Sequence, residues 1–231
     1  MNRDQILKEM GLGPIWKLRQ PPKKKRGAEP VPEAAAPADD RTAAIAALGW
    51  DELKQAVAGC SACELCKTRK QAVLGVGDVE ADWLFIGEGP GAEEDERGEP
   101  FVGQAGKLLD AMLAAIDLKR GNSVYIANAV KCRPPSNRTP EPAETAACWP
   151  FLARQIELIR PKLIVTLGKP AAQTLLQQEV TISRARGMVH DFAGIPLIVT
   201  YHPAYLLRNL PDKAKAWEDL CFMRKTMAGL R

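Results

Sequence analysis

The sequence predicts an α/β protein: a three-layer α/β/α sandwich with a central, mainly parallel four-stranded sheet. Three observations predict it. Four short apolar runs show little polar alternation, segments with helical apolar stripes lie between them, and two connections are unusually long. Strands covered on both faces read as unbroken apolar runs, and strands alternating with helices argue for a parallel sheet.

The four runs are WLFIG (83–87), VYIAN (124–128), LIVTLG (163–168) and PLIVTYH (196–202). After the first, QAGKLLDAMLAAID places Leu108, Met112 and Ile116 on one stripe with Leu109 and Leu113 beside it, a helix buried on one face. Residues 140–160 also read as helical, with Pro150 expected to kink or restart the helix. After the fourth run, 211–229 carries Trp217, Leu220, Cys221 and Met227 at helical spacing, and Cys221 is expected to be a buried apolar residue.

The folded domain is expected to span 43–231. Upstream, residues 20–42 combine proline, alanine and lysine with almost nothing to bury, the composition of a disordered linker. Residues 1–19 carry Ile6, Leu7, Met10, Leu12, Ile15, Trp16 and Leu18 and have two readings: a tail or strip that packs on its own domain, or a short docking motif for a protein partner, tethered so that it can act away from the body.

Composition narrows the function classes. The 231 residues carry a net charge of +4, so contact with a polyanion must come from local clusters and not from a global field. No apolar run approaches the roughly 18 residues of a membrane span, and MNRDQILKEMGLG lacks the apolar core of a secretory signal. A cytoplasmic location is expected. Thiols stay reduced there, so six cysteines point to metal or redox chemistry before disulfides.

The long connections, 88–103 and 129–139, leave the carboxyl ends of the first two runs, where open parallel sheets hold ligands. The first begins GEGPGAEEDERGEPFVG. Its glycines let the backbone around Glu88 approach a ligand closely, but it is neither a Walker loop nor a dinucleotide fingerprint. Asn128 closes the second run, Phe101 lies in EPFVG, and His202 follows the fourth run in YHPAYLLR. Each has an ordinary reading alone: a turn cap, a core ring, a locally satisfied imidazole. Together they bring a carboxylate, an amide, an aromatic ring and an imidazole to one end of one sheet. Lys131, Arg133, Arg138, Lys169, Arg184, Arg186 and Arg208 lie in or near the loops at that end, placed for phosphates.

In order along residues 50–222, GEGPGAEED with PFVGQAG, NAVKCRPP and YHPAYLLR closely resemble the motifs of the family 4, or iron-sulfur, uracil-DNA glycosylases. The resemblance implies a parallel α/β sandwich that flips uracil out of DNA and hydrolyses its N-glycosidic bond. Glu88 matches the glutamate that stabilises the sugar cation or orients water, and His202 the histidine near the leaving base. Gly89 and Glu94 fall in the uracil-binding loop, Glu94 crowding the position of a thymine methyl; Phe101 matches the ring that stacks on uracil and Asn128 the amide that reads its edge. Arg208 is read as a DNA contact; Leu206 or Leu207 reads either as the filler of the gap that a flipped base leaves or, with its neighbour, as core. The expected substrate is uracil-containing DNA, single- or double-stranded, acted on by a monomer in a prokaryotic cytoplasm at the nucleoid.

Cys60 and Cys63 form a C-x-x-C pair, while Cys132 and Cys148 lie far downstream. Four thiolates suit tetrahedral zinc or a [4Fe-4S] cluster, and spacing does not decide between them. The resemblance implies the [4Fe-4S] cluster with these four as ligands. Cys66 extends the pair to C-x-x-C-x-x-C and is read as a bystander that is able to replace a ligand. The competing readings are a non-catalytic iron-sulfur protein that binds damaged DNA and a zinc-bound nucleotide module. A covalent uracil-DNA trap is a third; its members carry an inserted K-R-R-I-H loop, which 129–139 lacks.

Overall fold

The computed structural model describes residues 40–230. The expected N-terminal segment, 1–19, and most of the expected linker lie outside the described residues. Helix α1 (Asp40–Ala46) carries Arg41, which donates to the Ala147 carbonyl at 2.9 Å and stacks over the Phe151 ring. Helix α2 (Trp50–Ala58) follows.

The sheet has six strands, not four. Four parallel ones are those expected: β2 (Trp83–Gly87), β3 (Val124–Asn128), β4 (Leu163–Leu167) and β6 (Ile195–Thr200). Two antiparallel edge strands, β1 (Val76–Gly77) on β3 and β5 (Val189–Phe192) on β6, complete the order β1-β3-β2-β4-β6-β5. These edges escape a reading based on apolar runs. One is only two residues long, and the other alternates exposed and half-exposed positions.

Side chains alternate between two cores. Phe85 and Val165 point into one with Leu109 and Leu113 of α4 (Gln104–Ala114) and Leu220 and Met223 of α9 (Lys213–Ala228). Leu84, Ile86 and Ile164 point into the other with Leu152 and Ile156 of α5 (Pro142–Ile159), Leu175 of α6 (Lys169–Leu176) and Ala185 of α7 (Ile182–Ala185). This is the expected three-layer sandwich, each buried Leu, Ile or Phe contributing about 1.5–3 kcal/mol through removal from water. A third cluster packs Ile45, Leu53, Val57 and Leu65 around Cys132, Cys148 and Phe151.

Helix α5 runs through Pro150 as one helix, without a restart there. On α9, Ala216, Asp219, Leu220, Met223 and Met227 are buried, whereas Trp217 faces solvent and Cys221 is only half-buried. The apolar spacing there includes a residue from the wrong face. No described helix is long and apolar enough to cross a membrane.

Chain order reverses beside β2: β3 pairs on one side and β4 on the other. A crevice opens beyond the carboxyl ends of strands at such a reversal.

Candidate active site

A cavity of about 730 Å³ occupies that end of the sheet. Glu88, Gly89, Glu94, Phe101, Asn128, His202 and Arg208 all line it, drawn together from three separate stretches of chain. Gly87 and Asn128 are register partners at the ends of β2 and β3, which fixes the first two stretches relative to each other. Gly87 was not anticipated. A Cβ there would collide with Asn128 Oδ1 and with the Phe101 ring, so the glycine makes room for both.

Asn128 is 2% exposed, and its Oδ1 has no hydrogen-bond partner. A buried acceptor left unpaired costs about 1–3 kcal/mol, a cost that a ligand donor removes. Its backbone carbonyl accepts from the Lys131 Nζ at 2.8 Å.

Phe101 is buried with φ +55, a left-handed backbone that a phenylalanine seldom adopts. Such strain costs about 1–3 kcal/mol and persists only where the surroundings enforce it. Glu94 is one of the enforcers. Its carboxylate accepts from the amides of Val102 at 2.9 Å and Gly103 at 3.1 Å while also capping α3 (Ala92–Arg97) through Gly91. Besides its place in the wall, Glu94 thus braces the loop that presents Phe101.

The Phe101 ring lies 5.5 Å from the His202 ring at 30°. His202 caps α8 (Pro203–Arg208), its Nδ1 accepting from the Ala204 amide at 3.1 Å. That bond assigns the proton of a neutral ring to Nε2. Burial and, second, the charge of Arg208 push its pKa down to about 4, against a weaker pull from Glu94. The imidazole is therefore neutral at physiological pH. Glu88 is half-buried, and burial raises its pKa, partly offset by a hydrogen bond from Thr139.

Two of the expected phosphate contacts are committed elsewhere. Lys131 is 1% exposed and also donates to Gln155 Oε1, and Arg186 pairs with Asp219 at 2.9 Å; Arg138 pairs with Glu144 at 2.7 Å but still lines the cavity, as does Lys169. Of the two wedge candidates, Leu206 is 1% exposed and belongs to the core, because its side of α8 faces α4. Leu207 is 41% exposed.

A second, smaller pocket is lined by Cys60, Cys63, Cys66, Cys132 and Cys148. N–H donors already point at the sulfurs: Arg69 to Cys132 at 2.9 Å and the Lys131 amide to Cys148 at 3.2 Å. Among the described residues no three Cys, His, Asp or Glu side chains converge on one ion-sized point. A four-iron cluster binds one thiolate per iron and does not need its sulfurs to meet at a point, so the set fits such a group.

The model of the uracil DNA glycosylase superfamily matches residues 74–221. A type-4 uracil-DNA glycosylase of Archaeoglobus fulgidus is 46% identical over 165 residues, covering 68% of this chain and 82% of the relative. One from Thermotoga maritima is 47% identical, covering 71% and 85%. The chain belongs to the type-4 uracil-DNA glycosylases.

Within this family site, two contributors carry no sequence signal. Thr139 bonds Glu88 from the far end of the 129–139 loop, and Arg120 donates to the carbonyls of Pro100 and Phe101 from the turn before β3. Tyr201 also lines the cavity. Its place directly before His202 was the only available hint.

Proposed function

We propose that the chain is a DNA repair glycosylase that receives a flipped uracil in the 730 Å³ cavity and hydrolyses its N-glycosidic bond, leaving an abasic site. The observation that carries this reading is the buried, unpaired Oδ1 of Asn128 facing a strained aromatic ring. Uracil presents N3–H as donor and O4 as acceptor, which one amide satisfies at once. Cytosine presents the opposite pattern, and a site built for one pattern rejects the other by about 10⁴–10⁵. Phe101 supplies the stacking surface that a flipped base needs.

As the bond breaks, negative charge grows on uracil O2 and positive charge on the deoxyribose. The Nε2–H of neutral His202 is the donor for the first, and Glu88, ionised, is the carboxylate for the second. Both are held before the reaction starts, which is the arrangement that favours the transition state over the bound substrate. Arg208 at the rim and exposed Leu207 meet the DNA.

Cys60, Cys63, Cys132 and Cys148 hold a [4Fe-4S] cluster in this reading. When bound, the cluster supplies a cross-link between the segment near Cys60 and the loop and helix carrying Cys132 and Cys148. The chain's own residues perform the hydrolysis. The relatives' activity argues against a non-catalytic damage binder, and reduced thiols suit a cytoplasmic setting. Incubating cluster-loaded protein with a single-uracil oligonucleotide, followed by alkaline treatment, tests the reading. Strand cleavage at the uracil is the expected result; intact DNA bound by active-looking, cluster-loaded protein would instead support the damage binder.

A further inference from the structure

Phe101 stays in its left-handed conformation because the chain on both sides of it is pinned. Downstream, Glu94 takes the amides of Val102 and Gly103. Upstream, Arg120 reaches in from behind the cavity: Nη1 donates to the Pro100 carbonyl at 2.8 Å and Nη2 to the Phe101 carbonyl at 2.9 Å. Its Nε and Nη2 also donate to one oxygen of Asp110 on α4, at 3.1 and 2.9 Å. Gly106 of the same helix lies under the Phe101 carbonyl, where no Cβ fits. Arg120 does not line the cavity, so its bonds serve the loop and not the ligand.

We propose that Arg120 is a positioning residue for base recognition, setting the Phe101 ring in the plane on which the flipped uracil stacks. A planar guanidinium can serve two adjacent carbonyls and a carboxylate together; a lysine ammonium, a point charge, cannot hold that fork. Without the clamp, Phe101 relaxes toward an extended backbone and its ring leaves the cavity wall. The inference rests on the stacking role given to Phe101 above.

The test measures inhibition of excision by free uracil, together with kcat, KM and thermal melting, for Arg120→Met, Arg120→Lys, Phe101→Leu and the Arg120→Met/Phe101→Leu double variant. Loss of stacking weakens base binding by about tenfold or more. Phe101→Leu and Arg120→Met are each expected to raise the uracil inhibition constant by that factor and to raise KM, with little rescue by Arg120→Lys. Combined, they should give no more than Phe101→Leu alone, since Arg120 acts through the ring. If Arg120→Met does not fold, Gly106→Ala strikes the same carbonyl from the helix side and should give the same signature. An inhibition constant that rises in Phe101→Leu but is unchanged in Arg120→Met, or fully additive effects, would overturn the role of Arg120. An unchanged constant in Phe101→Leu would overturn the stacking reading itself, and the inference with it.

Discussion

Burial disfavours the charged form of Glu88, which is the form the proposed mechanism uses. A carboxyl group whose folded pKa is raised costs the fold stability as pH climbs from its unfolded pKa through the raised value, and the full cost remains at neutral pH. Glu88→Gln removes the charge and keeps an oxygen for Thr139. It should therefore raise the melting temperature at pH 7 and lose that advantage in acid, below the ordinary carboxylate range. In the wild type, kcat/KM should fall with acidification through the raised Glu88 pKa. His202 adds no ionisation near neutrality, because its pKa lies at about 4. Melting curves at pH 3 and pH 7 with a pH–rate profile check both expectations; a variant less stable than wild type at pH 7 would contradict the first.

At the scale of elements, α5 is the connector. One helix carries Glu144, which grips Arg138 beside Thr139; Cys148 in the thiol pocket; and Gln155, which accepts from Lys131 under Asn128. Gln155 also donates to the Leu74 carbonyl at 3.0 Å and the Tyr125 hydroxyl at 3.3 Å. Gln155→Leu strips a buried ammonium of one acceptor and orphans the other two groups. Several kilocalories are at stake, which for a domain of this size corresponds to a melting temperature lower by about 5–15 °C. A change within the error of the melt would show that the network is dispensable.

The sequence made the parallel strands and their carboxyl-end residues legible because a strand buried on both faces leaves an unbroken apolar run. Glu88, Asn128 and His202 could be placed for the same reason: each directly follows or ends such a run. Lys131 could not be read correctly. Its partner Gln155 is 24 residues away, and a lysine in a loop ordinarily faces water. The edge strands lacked an apolar signature, and the role of Arg120 depends on a backbone angle at Phe101 that no side-chain pattern encodes.

For the whole molecule, the two pockets are neighbours through Lys131: its amide faces Cys148 and its side chain holds the carbonyl of Asn128. Assembly of the proposed cluster is thus expected to set the position of Asn128, the proposed base reader. Cys132→Ala should lose the visible absorption of the cluster and uracil excision together; full excision by a normally folded, colourless variant would refute that link.

The central claim is that charge on preset groups, and not DNA binding, makes this cavity a catalyst. The most direct measurement is the single-turnover rate of uracil excision beside the DNA dissociation constant, for wild type and Glu88→Gln. Removal of one such electrostatic group should slow excision by about 10²–10³ while affinity stays within a few fold. Equal losses of rate and affinity would contradict the account.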